Sequence, residues 1–291
     1  MKQLIKNYSQ LVKLRLTASV VATSAFGYIL GCKINNNENW TLDFSWVEFL
    51  GVFVGGLLIV FSSNALNQLV EIENDGKMSR TARRPLVEGR ISIKDARVFS
   101  MLTGLAGIIL LALTTTFTAT LLGFLSLLIY VFIYTPMKQV SPFAVMIGAI
   151  PGALPPLIGY TAVIPSIDQP GIMLFLLQFL WQFPHFWAIA WLLHDDYQKA
   201  GYWLLPSGGG RDKKSGFQIM IYTVMLCLVA LMPVYYKIAG VNALLVVIPL
   251  SFYFLFKSWR LFQTLEIREA KQLLYASLLY TPLVFLSYII L

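Results

Sequence analysis

The sequence predicts an all-α polytopic membrane protein with nine transmembrane helices. Three observations lead there. Of 291 residues, 57% are hydrophobic and only 12% are charged, about half the charged share of a soluble domain. Mean hydropathy is +0.70, more apolar side chain than one water-surrounded core encloses. Nine apolar runs approach the roughly 20 residues that cross about 30 Å of hydrocarbon. Disorder is excluded as well, because 14% of the residues are aromatic.

The first run, 16–32, follows Lys2, Lys6, Lys13 and Arg15. It lacks a convincing small-residue cleavage site, so it is a retained first helix rather than a signal peptide. The run 46–66 ends in amides and carboxylates. The runs 98–115 and 117–136 meet at Thr114–Thr118. The fifth, 141–163, holds Pro151, Pro155 and Pro156 with Gly148, Gly152 and Gly159, which predicts a broken, closely packed helix. The runs 170–193, 216–236, 240–257 and 272–290 complete the set. No ten-residue alternation appears, which excludes a barrel.

Basic residues give the orientation. Of 22 Lys and Arg, only Lys33 and Lys237 fall on the second side under this division. The N-terminus and the loops 76–97 and 195–215 are therefore expected in the cytoplasm, and the C-terminus outside, in a bacterial-type cell membrane. The net charge of +8 reflects this bias toward anionic headgroups, and nucleic-acid binding is not needed to explain it. Residues 1–291 read as one domain. Cys32 and Cys227 sit in or beside apolar runs with no CxxC or metal-like spacing.

Two constellations carry chemistry. At the end of the second run, Asn67, Glu71 and Asp75 recur at one-turn spacing and share a helix face, extended inward by Asn64 and Gln68. Such a stripe is expensive in lipid and must face a cavity, a partner or an ion. Its oxygens suit a hard cation such as Mg²⁺ shared with phosphate. Lys77, Arg80, Arg83 and Arg84 follow at once, before the rigid Pro85. Carboxylates with several guanidinium groups make a diphosphate site.

The second lies on the sixth run, which holds Trp181, Pro184, His185, Phe186 and Trp187, then Asp195, Asp196, Tyr197 and Lys199. His185 and Asp196 are three turns apart, hence on one face of a continuous helix. An intramembrane histidine is a functional candidate. Asp195, Asp196 and Lys199 are candidates for a second metal or diphosphate end.

Together these segments resemble the UbiA superfamily of intramembrane prenyltransferases, and within it the haem-directed branch. The resemblance rests on Asn67-xxx-Glu71-xxx-Asp75, Met78-Ser-Arg80-Thr81-xx-Arg84-Pro85-Leu86, Tyr134-Thr135-xx-Lys138, Gly152-Ala153-xx-Pro155-Pro156-xx-Gly159, Pro184-His185-Phe186-Trp187 and Asp196-Tyr197-xx-Ala200-Gly201. It runs from about residue 10 to the C-terminus.

The resemblance implies nine helices around a central cavity and Mg²⁺-dependent ionisation of farnesyl diphosphate. The farnesyl group then passes to the 2-vinyl group of haem B, giving haem O. Asn67, Glu71 and Asp75 carry over as the first metal motif, with Asp196 as a further candidate ligand. Arg80, Arg83, Arg84 and Lys138 would hold the diphosphate, with Lys199 beside them. His185, Asp195, Asp196 and Tyr197 are candidates for the haem or for the second motif. Trp181, Phe186, Trp187 or Tyr160 would stabilise an allylic cation through their π faces. A haem A synthase or terminal-oxidase assembly proteins are the implied partners.

Two departures stand out. Glu71 and Glu73 occupy positions where the superfamily commonly has Asp, and its usual second acidic pair is missing, since Leu193 stands four before Tyr197. Prenylation of an aromatic quinone precursor and secondary transport remain as alternatives. The Pro184–Trp187 segment in place of a second acidic motif speaks against the first. The arginine cluster, and the lack of visible inverted repeats, speak against the second.

Reporter fusions after Gly89 and Lys213 are expected to read cytoplasmic, and fusions after Asn37 and Asp168 external. An external signal at Gly89 would overturn both the span count and the orientation.

Overall fold

A computed structural model describes residues 2–35, 41, 43–208 and 210–291, and Asn37 lies outside the described residues. Its elements in chain order are α1 (Lys2–Leu11), α2 (Leu14–Asn35), α3 (Trp46–Val70), α4 (Ile72–Lys77), α5 (Ile93–Thr114) and α6 (Phe117–Met137). They continue with α7 (Ala144–Val163), α8 (Gln169–Leu192), α9 (His194–Lys199), α10 (Lys213–Tyr235), α11 (Leu244–Thr264) and α12 (Ile267–Ile290). Among the described residues there are nine helices long and apolar enough to cross a membrane, and no strands.

Several helices begin earlier than their apolar runs. Polar first turns, such as Lys94 and Asp95 in α5 or Lys213 and Lys214 in α10, lie outside a hydropathy run yet are helical. Each is started by a side-chain cap. Ser92 accepts from Asp95 N at 3.0 Å and Asp212 accepts from Ser215 N at 2.7 Å.

The helix α7 is the most enclosed span and packs against α2, α6 and α8. Beyond it, α8 packs on α10 and α12, and α11 lies between those two at the margin. On the other flank α3 packs along α5. Leu113, Phe117, Phe132 and Leu245 are among many large apolar side chains left exposed, as surfaces that meet lipid require.

The prolines of α7 do not break it. The helix is continuous across Pro151, Pro155 and Pro156, and a neighbouring helix takes up one carbonyl that loses its usual donor. Pro155 has no N–H to offer Pro151 O, and Ser126 Oγ donates to that oxygen at 3.3 Å. Gln182 Nε2 donates to Ala149 O at 2.9 Å, a further tie from α8 to α7 at a carbonyl that no proline deprives of its donor. The expected interruption appears instead in α6. There a π-helical stretch spans Ile129–Tyr134, and Thr135 N bonds to Tyr130 O.

The glycines set how closely the spans approach. A Cβ on Gly159 would fall on the backbone oxygen of Ser24, and one on Gly27 on that of Pro156, so α2 and α7 meet backbone to backbone. A Cβ on Gly56 would meet only Val21 side-chain atoms at 3.7 Å. Gly159→Ala is therefore expected to destabilise the purified protein by about 1–3 kcal/mol. Gly56→Ala should be neutral or slightly stabilising. Thermal unfolding in one detergent compares them, and equal melting temperatures would contradict the close-approach account.

Candidate active site

The polar stripe of α3 survives the helix end. The helix stops at Val70, yet Glu71 N bonds to Asn67 O at 3.1 Å and Asp75 N to Glu71 O at 2.8 Å. One-turn spacing therefore carries through into α4. Asn67, Glu71 and Asp75 are all buried.

Three cations from three other segments converge on them. Lys138, three residues beyond Thr135, places Nζ 2.9 Å from Glu71 Oε1 and 4.5 Å from the Tyr134 ring centroid. Arg84 Nη1 pairs with Asp75 Oδ2. Lys13 Nζ lies 3.2 Å from Asn67 Oδ1. Thr135 Oγ1 accepts from Asn67 Nδ2 at 3.2 Å, and Tyr202 OH donates to Glu71 Oε1 at 3.3 Å.

The charges shape one another. Burial pushes the Glu71 carboxyl up, but the charge and hydrogen bond of Lys138, with Lys13 and Arg84 behind, leave it below its usual range. Burial acts oppositely on Lys138, and Glu71 overrides it, so that ammonium titrates above its usual value. At Asp75 burial wins over Arg84 and the carboxyl is raised. Burial, then the like charges of Arg84 and Lys138, bring Lys13 down to about 7.

The loop that brings Arg84 is tied at both ends. Thr81 Oγ1 donates to Asp75 O at 2.8 Å. Arg90 reaches Arg83 O at 2.7 Å and also bonds Asn7, which anchors the loop to α1. The Arg83 and Arg80 side chains are exposed, with Arg80 lying 6.0 Å over the Tyr197 ring.

Asp196 serves the same loop. Its carboxylate accepts from Ser79 N at 2.8 Å, Ser79 Oγ at 2.6 Å and Arg80 N at 3.3 Å, and pairs with Lys199 at 3.3 Å. The Ser79 bonds hold its carboxyl at about 2. Asp195 pairs outward with Arg211 at 3.1 Å.

The continuous helix expected to join His185 and Asp196 is interrupted. Leu193 leaves helical geometry at φ −103 and ψ 14, and α9 starts anew at His194. His185 turns to α12, where its Nδ1 and Ser277 Oγ share a hydrogen bond of 2.8 Å. Trp181 stacks on it at 4.5 Å. Tyr160 donates to Asp168 at 2.9 Å, at the other end of α8 from the basic loops.

A cavity of about 350 Å³ opens between α7, α8 and α10, lined among others by Phe143, Met146, Phe183, Trp187, Ser207 and Tyr222. The same two loops that reach Glu71 through Lys138 and Tyr202 form its rim a few residues later.

Sequence reasoning missed Lys13 and Tyr202. Lys13 was absorbed into the topogenic charge of the N-terminus.

A sequence model of the UbiA prenyltransferase family matches residues 39–286. The chain belongs to the UbiA prenyltransferase family. It is 42% identical over 284 residues to a protoheme IX farnesyltransferase of Cytophaga hutchinsonii, covering 97% of this chain and 96% of that one. Its fold matches a digeranylgeranylglyceryl phosphate synthase with a TM-score of 0.80 at 20% identity, over 100% of this chain and 98% of that one. A UbiA homologue from Archaeoglobus fulgidus bound to GPP and Mg²⁺ aligns with a TM-score of 0.69 at 14% identity, over 97% and 99%. Those last two likenesses are of fold.

The donor set fits the divalent ion this UbiA fold implies. Among the described residues no three His, Cys, Asp or Glu side chains converge as a self-sufficient metal site. Two carboxylates and a carboxamide, Glu71, Asp75 and Asn67, follow one another at one-turn spacing, and Asp75 Oδ1 is buried with no hydrogen-bond partner. Mg²⁺ is typically held this way, by one or two carboxylates with substrate phosphates supplying the rest.

Lys138→Met should leave Glu71 buried and unpaired, at a cost of about 3–5 kcal/mol in unfolding free energy. Adding Glu71→Gln should recover most of that loss. If Lys138→Met unfolds at the wild-type temperature, the pair does not stabilise the fold.

Proposed function

We propose that this protein transfers a farnesyl group from farnesyl diphosphate to the 2-vinyl group of haem B, releasing diphosphate and giving haem O. One observation carries the reading. At the edge of an apolar bundle, three buried or half-buried cations meet two carboxylates, so the cluster holds surplus positive charge for a polyanion. The name of the Cytophaga hutchinsonii relative supports haem B as acceptor.

Lys138 and Arg84 are set to grip diphosphate oxygens, with Arg80 and Arg83 at the exposed mouth. Asn67, Glu71 and Asp75 would hold Mg²⁺, which supplies charge stabilisation on the leaving oxygens when bound. The bond between farnesyl C1 and its oxygen breaks, and the diphosphate leaves with the electron pair. Apolar side chains of the bundle would keep water from the bond that breaks, and aromatic π faces such as that of Trp187 would stabilise the allylic cation. The vinyl π electrons form the new carbon–carbon bond. Water then adds at the adjacent carbon and loses a proton, completing the hydroxyethylfarnesyl group.

The chain works as one domain. Its basic loops and N-terminus face the cytoplasm, where the diphosphate arrives, and its C-terminus faces outward. The product suits a haem A synthase or a terminal-oxidase assembly protein. Family membership sets secondary transport aside, and the name of the relative disfavours a quinone-precursor acceptor.

In lipid nanodiscs with Mg²⁺ and farnesyl diphosphate, diphosphate release should depend on haem B and not respond to 4-hydroxybenzoate. The reverse dependence would refute the assigned acceptor. Asn67→Ala, Glu71→Ala and Asp75→Ala should each lower the rate by about 10²–10³-fold or more, with folded protein remaining. Glu71→Asp should retain measurable activity. Full activity in Glu71→Ala would remove that residue from the site.

A further inference from the structure

Lys13 is the member of the cluster whose position is hardest to account for by packing. It occupies the break between α1 and α2 with φ 51, a left-handed backbone that side chains with a Cβ adopt at a cost. Two carboxamides of α3, both buried, hold that break open. Gln68 Nε2 donates to Leu11 O at 2.6 Å and Gln10 O at 3.3 Å. Asn64 Nδ2 donates to Val12 O at 3.0 Å and Thr17 Oγ1 at 3.1 Å. Thr17 Oγ1 in turn donates to Val12 O at 2.7 Å. The carbonyls of Leu11 and Val12 are thus satisfied by side chains rather than by a continuing helix, and that of Gln10 accepts both from Gln68 and from Lys13 N at 3.3 Å.

The result of this arrangement is an ammonium among other cations. Glu71 is paired with Lys138 and Asp75 with Arg84. The hydrogen-bond partner of Lys13 is the neutral carboxamide of Asn67. A strained backbone and two buried amides thereby place an amine beside Arg84 and Lys138, where the nearby opposite charges, Asp75 and Glu71, are already paired with those two. A ligand carrying several negative charges makes a further ammonium favourable there.

We propose that Lys13 directly binds the diphosphate of the substrate, and that Asn64 and Gln68 are positioning residues that hold the α1–α2 break so its ammonium reaches that group. This rests on the prenyl-diphosphate reading of the same cluster. It also reassigns Asn64 and Gln68, which by spacing alone belong with the metal-facing stripe.

The test measures inorganic pyrophosphate binding, with Mg²⁺, to the full chain in nanodiscs. Lys13→Met and Lys13→Gln should bind about 10- to 100-fold more weakly, the loss expected for one charge-assisted hydrogen bond. Lys13→Arg should restore most of the affinity. Gln68→Leu should weaken binding while Lys13 itself is intact. In the wild type, pyrophosphate should protect Lys13 from acetylation, read by mass spectrometry, while Lys2 and Lys6 react equally with or without it. If the wild type binds no pyrophosphate, the diphosphate reading fails. If it binds, but Lys13 is not protected, or folded Lys13→Met and Lys13→Gln bind as tightly as wild type, the role given to Lys13 is wrong.

Discussion

Charge buried at a membrane boundary has to be neutralised in place, and the basic end of this molecule is organised around that requirement. Each ion withdrawn from water costs several kcal/mol, recovered only by close opposite charge and hydrogen bonds. Lys138 on Glu71 and Arg84 on Asp75 meet that condition. Reaching those partners dictates the local structure. A π-helical turn sets Thr135 and Lys138 at the end of α6. A loop clasped by Thr81, Arg90 and Asp196 brings Arg84. A break after α1 brings Lys13.

The rest of the bundle supplies the opposite environment. Backbone contact between α2 and α7 leaves no room for side chains between them, which stiffens the centre of the molecule. An aromatic-walled cavity lies between α7, α8 and α10, rimmed by the chain that follows Lys138 and Tyr202. A farnesyl chain and a porphyrin belong on the apolar side of that boundary and a diphosphate on the charged side. The reacting bond joins the two kinds of group, which accounts for a site at the seam.

Much of the fold was legible because hydropathy and charge bias are properties of composition along the chain. All nine runs correspond to long helices. Their ends were less legible, since a capped polar turn such as Lys94–Asp95 is helical without being apolar. Spacing also found Asn67, Glu71 and Asp75, because i to i+4 periodicity is local. What it missed was non-local. Proline content suggested a broken α7, but the helix runs on, and Ser126 of α6 donates to the carbonyl that Pro155 leaves without its donor. Asn64 and Gln68 lie on the same stripe as Asn67 yet spend their amides on α1 and α2. Lys13 acquires its environment only when three distant segments meet it. The helix joining His185 to Asp196 looked continuous, and only the structure shows it end at Leu192.

The account is most directly tested by the haem of living membranes. A host lacking its own enzyme of this class would be compared with and without this chain, and the haem extracted and weighed by mass spectrometry. The account predicts a haem heavier than haem B by one hydroxyethylfarnesyl modification when the chain is present, and haem B alone when Glu71 is replaced by Ala. Unmodified haem B in both strains, with the wild-type chain folded in the membrane and farnesyl diphosphate available, would contradict it.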